Sequence, residues 1–188
     1  MGVLGSAFPL SIGKTSELLQ RLLGMSISGV AIVAIRARLA ACLREPMEEV
    51  LREARLQPVV YMDETGAPTG NADGGNPDGR RDWLWVLMTP MLTVFSQGLS
   101  RSSAAAMELL GSSFGGIVVG DRFSATNQLP LEQRQLCWAH IVRDLTAIAE
   151  RSGASAEMGT RLLSLRQQLF KHWLRWKSGE NNRNYLRQ

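Results

Sequence analysis

The chain has 188 residues, 45% hydrophobic and 20% charged, with a formal net charge of +4, which excludes a disordered or fibrous protein and bounds the fold at one ordinary domain with room for a helical appendage. The longest apolar run, Met25 to Ile35, stops at Arg36 and Arg38, short of the roughly 20 residues a membrane span needs. The first ten residues lack the basic flank and apolar run of a secretory signal, so a cytoplasmic protein without a membrane partner is expected.

In chain order, residues 14–23 place Leu18, Leu19, Leu22 and Leu23 on one face of a short helix, with Ser16 as a candidate cap and Gly24 as its end. Ser28 to Leu43 repeats apolar residues at helical spacing, and a third helix is expected after Pro46, with Glu48 and Glu49 in its first turns. Helix, glycine turn, helix is the outline of a helix-turn-helix. A plain helical hairpin packed on its neighbour is the favoured reading, because only Arg36 and Arg38 offer phosphate or base contacts on the second helix. The two cysteines, Cys42 and Cys137, form no C-x-x-C pair, which argues against a zinc knuckle or a disulfide framework.

The period then changes. Pro58 to Met62 reads as a buried strand ending at Asp63, and residues 64–82, rich in Gly, Asn, Pro and Asp, read as a long loop. Trp83 to Met88 and Leu92 to Phe95 are strand-like, Arg101 to Leu110 is helical with Ser100 as a candidate cap, and Gly116 to Gly120 is a buried strand ending at Asp121. Gln135 to Trp138 gives one more short strand, and helices follow over Ala139 to Glu150 and Glu157 to Trp176, broken at Gly153. This α/β order, a three-stranded meander extended by strands returning from helices, is that of a ribonuclease-H-like mixed sheet with flanking helices. It divides the chain into a helical segment at 1–57, a core at 58–150 and a basic helical segment at 151–188, with net charges of +2, −4 and +6.

Asp63 and Asp121, 58 positions apart, each close an apolar strand, where a carboxylate is held rigidly and still reaches a ligand. Two such groups side by side repel unless a divalent cation lies between them, and a two-metal site of this kind serves phosphodiester hydrolysis or transfer. The plain alternative is that both aspartates merely terminate strands. Glu64 points to the opposite face of its strand from Asp63 and is left out of the metal site. His140 is a metal or phosphate contact, or a hydrogen-bonded structural histidine. Trp83, Trp85 and Trp138 lie in apolar runs and are expected in the core. Arg122 and Arg143 are candidate phosphate contacts, with an ion pair from Arg143 to Asp144 or Glu150 as the alternative. Arg161, Arg166, Lys171, Arg175 and Lys177 recur along the last helix, where they track a DNA backbone or form a solvated face.

Several words along the chain, in order, carry a resemblance. They are Val59-Val-Tyr-Met-Asp-Glu-Thr-Gly66, Trp83-Leu-Trp-Val86, Arg101-Ser102, Leu109-Leu-Gly-x-x-Phe-x-Gly116, Gly120-Asp-Arg-Phe-Ser-Ala125 and Arg134-Gln-Leu-Cys-Trp-Ala-His140 followed by Arg143-Asp144. With Leu10-Ser11 and Leu23-Gly-Met-x-Ile-Ser28 upstream, the chain resembles the transposases of the insertion sequence 66 family, over residues 59–145 most closely. The resemblance implies a bacterial DDE-type enzyme of DNA transposition. Asp63 and Asp121 would be its first two catalytic acids and metal ligands, Mg²⁺ or Mn²⁺ its cofactor, and transposon ends and target DNA its partners, with homo-oligomers left open. The family's third acid, a Glu in an Asn-rich word beyond an inserted helix, is not found before Gln188, so 151–188 reads as the start of that insertion and the chain as a fragment or decayed copy. Thr126, where the family commonly has an aromatic, and the glycine-rich loop at 67–82 also depart from the pattern. The alternative implied is an inactive remnant acting only as a DNA-binding or oligomerisation module. Glu150 is the internal residue to watch for a third acid.

Overall fold

The computed structural model describes residues 8, 10–68, 70, 74, 76–98 and 100–179. Helix α1 spans Ile12–Leu23. Its cap is Ser11, whose hydroxyl accepts from the Lys14 N–H at 3.2 Å, and not Ser16. The Ser16 hydroxyl instead donates to the Ile27 carbonyl at 2.7 Å and ties the helix to the turn after it. Gly24 ends α1 at φ 64°, a left-handed conformation that costs glycine little.

Helix α2 runs unbroken over Gly29–Arg55 with Pro46 inside it, which corrects the expected break there. An interior proline costs roughly 3 kcal/mol, but this helix is anchored on both sides of it. Ile32 is fully buried in its first half, and Val50, Leu51 and Ala54 pack into the sheet core in its second. The last two turns of α2 therefore belong to the core, and the helical segment at 1–57 is not detached from the sheet. Arg55 secures the junction by donating to the carbonyls of Leu109 at 3.0 Å and Glu108 at 2.7 Å.

Five strands form one mixed sheet: β1 Val59–Ala67, β2 Asp82–Met88, β3 Thr93–Gly98, β4 Ile117–Gly120 and β5 Arg134–Leu136, in the order β3-β2-β1-β4-β5. The first three form an antiparallel meander, with Asp63 opposite Val86 and Val86 opposite Phe95. β4 runs parallel to β1, and β5 parallel to β4. β1 does not end at Asp63: Glu64 to Ala67 pair with Trp85 to Asp82, so the segment expected to be loop completes a long hairpin. Helix α3, Ser103–Leu110, is capped by Ser102 rather than Ser100. Helices α4, Trp138–Ala149, and α5, Ala154–Lys177, come after the sheet.

Strand alternation sends Val60, Met62, Trp85, Leu87, Val94 and Val118 to one face of the sheet, where they are buried against Ala106, Leu109, Leu110 and Phe114. Trp85 lies in this core, and its indole N–H donates to the Ser100 carbonyl at 3.1 Å. Trp83 is half-buried at the core's edge, beneath guanidinium groups. Trp138 leaves the core for the opposite face, where its ring meets Phe170 edge-on at 5.2 Å. There α4 and α5 cross in close contact, and a Cβ on the buried Gly159 would lie 2.4 Å from the Ala149 nitrogen. Among the described residues no helix is long and apolar enough to cross a membrane.

Candidate active site

β1 and β4 are in register at Tyr61 and Val119. Continued by two residues, that register brings Asp121 level with Asp63. β4 stops at Gly120, so Asp121 is the first residue past the sheet, while Asp63 sits where β1 loses its neighbour on that side. A Cβ at position 120 would lie 3.2 Å from the Met62 carbonyl oxygen, a tight approach that a larger residue would meet only by a small shift of the strand. Asp63 and Asp121 both line one cavity of about 170 Å³, together with Tyr61, Val86, Cys137 and His140. The strand-end placement expected from the sequence thus holds for Asp121, whereas Asp63 lies inside β1.

Each carboxylate is oriented by backbone. The Phe123 N–H donates to Asp121 Oδ1 at 2.7 Å, closing a tight turn after β4, and the Glu64 N–H donates to Asp63 Oδ1 at 3.0 Å. β5 brings in the remaining wall: the Cys137 N–H donates to the Gly120 carbonyl at 2.6 Å, and α4 begins at once, setting His140 in its first turn. His140 Nδ1 is buried and has no hydrogen-bond partner among the described residues. Two carboxylates on one cavity are oxygen donors of the chemistry that suits Mg²⁺ or Mn²⁺, with water completing the shell. No three His, Cys, Asp or Glu among the described residues are placed to hold an ion together.

Glu64 faces the opposite side of β1, as strand alternation requires, with its side chain only 4% exposed. Burial pushes its carboxyl above the usual range. Arg101 opposes that shift through a hydrogen bond and its charge, and the nearby Asp121 and Asp63 add to it. The Arg101 guanidinium reaches Glu64 Oε1 at 2.7 and 2.8 Å and lies over the rings of Phe123 at 4.0 Å and Trp83 at 4.7 Å. Spacing alone does not signal this cluster, because Glu64 and Arg101 are 37 residues apart and become neighbours only through the hairpin and its return.

The cationic candidates are not gathered in one place. Arg122, next to Asp121, pairs with Asp144 of α4, taking the acid expected as an alternative partner of Arg143, and Arg143 is left exposed. Along α5, Arg161, Lys171 and Arg175 are exposed, and at about 100° per residue they share one side. Arg166 and Lys177 lie on another side, over the rings of Phe170 at 4.5 Å and Trp173 at 5.3 Å. Arg36 donates to the Leu10 carbonyl at 3.2 Å and so serves the helical hairpin. Glu150 caps the C-terminal end of α4 and is exposed, nearly three turns beyond His140.

A family model described as Transposase IS66 family matches residues 6–188. No curated protein and no solved structure matches the chain.

Proposed function

Because the chain belongs to the IS66 transposase family, we propose that Asp63 and Asp121 are two acids of a DDE-type site that cleaves and joins DNA phosphodiesters. The observation that carries this reading is the shared cavity of two carboxylates 58 positions apart. The sheet order, three antiparallel strands followed by two parallel ones, supports a ribonuclease-H-like framework. Asp63 and Asp121 would hold Mg²⁺ or Mn²⁺. Such an ion, when bound, supplies Lewis acidity toward an attacking water or 3′-hydroxyl and a leaving oxygen.

The chain's own residues do the positioning. The Phe123 amide fixes one oxygen of Asp121 and leaves the other without a hydrogen bond among the described residues. His140 lines the same cavity and is the imidazole closest in sequence to the acids that could contact a phosphate there. Arg143 and the exposed side of α5 with Arg161, Lys171 and Arg175 would carry DNA phosphates, from transposon ends or target, by charge alone. Arg122, Arg166 and Lys177 are engaged within the fold and would meet DNA only at the cost of those contacts.

A second reading, a module that binds DNA or self-associates without reacting, is favoured by one observation: no third acid converges on the cavity among the described residues. Calorimetry with Mn²⁺ tests the site itself. Weak binding by wild type, reduced at least about tenfold in Asp121→Asn, is expected, a change equivalent to roughly 1.4 kcal/mol. Equal heats for the two proteins would remove Asp121 from any metal site.

A further inference from the structure

We propose that Glu64 and Arg101 are positioning residues for the acid pair, acting from the opposite face of the sheet. This role rests on the reading of Asp63 and Asp121 as the reactive acids. Glu64 directly follows Asp63 on β1. Phe123 is the residue whose amide holds Asp121. One guanidinium joins the two: Arg101 donates from Nε to Glu64 Oε1 at 2.8 Å and stands 4.0 Å over the Phe123 ring. A second ring, Trp83 at 4.7 Å, also borders the cation, so two aromatic rings hold it as well as the carboxylate.

Stability alone is a poor reason for this arrangement. The Glu64 side chain is 4% exposed and so loses its hydration, while the Arg101 side chain is 41% exposed, where solvent screens the attraction that would offset that loss. What the pair supplies is a directional link. β1 is fixed in the sheet through the pairing of Glu64 with Trp85, whereas the turn at 121–123 has left it. Through Arg101 the rigid strand bears on the Phe123 ring, and the Phe123 backbone in turn sets the angle of the Asp121 carboxylate. Without the cation that ring loses one of its supports, and the Asp121 turn is free to relax away from Asp63.

The test uses the whole chain, metal-free, by amide NMR. The Phe123 N–H resonance reports its hydrogen bond to Asp121, and Asp121→Asn identifies the direction in which it moves when that bond changes. Arg101→Gln and Glu64→Gln are expected to move it the same way. Arg101→Lys, which keeps the charge but loses the two-nitrogen contact with Glu64 Oε1, is expected to fall between them and wild type. Mn²⁺ affinity should drop about three- to tenfold in Arg101→Gln, less than in Asp121→Asn. A Phe123 resonance that stays at its wild-type position in both Arg101→Gln and Glu64→Gln would overturn the proposal; if Arg101→Gln does not fold, Glu64→Gln decides. Equal Mn²⁺ heats for wild type and Asp121→Asn would instead defeat the metal reading, and the amide comparison would still decide the positioning role.

Discussion

Replacing Gly159 by alanine sets two physical effects against each other with opposite signs. In a helix interior, Gly→Ala ordinarily stabilises by roughly 0.8–1 kcal/mol, because alanine loses less backbone freedom on folding. Gly159 lies inside α5 and is buried, and a Cβ there would be 2.4 Å from the Ala149 nitrogen, 2.7 Å from its Cα and 2.9 Å from the Ile148 carbonyl carbon. All three are backbone atoms, so no side chain can swing aside. Ordinary contact starts near 3.4 Å, and the helices must therefore part by about 1 Å at their crossing, a gap that forfeits a quarter to a half of each affected contact's attraction. Overpacking of this kind typically costs about 1–3 kcal/mol. The net expectation is a loss of up to about 2 kcal/mol, against a gain from propensity alone. Gly13 of α1, where an added Cβ would meet nothing within 4 Å, is the control: Gly13→Ala should gain a few tenths of a kcal/mol. Urea unfolding followed by tryptophan fluorescence measures both, and Trp138 against Phe170 makes the signal sensitive to the α4–α5 contact. A Gly159→Ala protein as stable as wild type, or more so, would refute the close crossing.

Glu64 adds a pH dependence. Its folded-state pKa is raised above the ordinary 4.5, so its contribution to stability is fully present below that value and is lost as pH rises through the folded pKa; measured in EDTA, Glu64→Gln should gain on wild type as pH climbs from 4.5 toward neutrality, and a pH-independent difference would contradict the burial argument. Replacing Arg161, Lys171 and Arg175 together by glutamine should flatten the log–log salt dependence of DNA binding by roughly 0.9 per lost phosphate contact, and an unchanged slope would mean that this side of α5 is merely solvated. In a Mn²⁺ nicking assay on supercoiled DNA, the chain is expected to give no product, since two acids without a third beside them among the described residues cannot align both oxygens of the reaction, and even a 10³-fold loss corresponds to about 4 kcal/mol. Nicking by wild type that disappears in both Asp63→Ala and Glu150→Gln would make Glu150 the third acid.

What the sequence by itself determined were the features set by neighbours along the chain. Short apolar runs mark the strands, Gly24 and Gly153 mark helix ends, and the words around Asp63 and Asp121 carry the family resemblance that the match over residues 6–188 bears out. Local rules fail where distant partners outweigh them. Pro46 should end a helix, yet α2 continues because Ile32 and Ala54 are buried on either side of it. Glu64 to Ala67 look like loop, yet pairing with β2 makes them strand. Arg122 looks available to DNA from its neighbours in sequence, yet the fold brings Asp144 beside it. Only the tertiary structure decided the surroundings of the acids: the parallel register that levels Asp63 with Asp121, and the return of Arg101 to Glu64. Strand register and long-range ion pairs depend on how hairpins and crossovers close in space, and residue spacing along the chain carries no record of that distance.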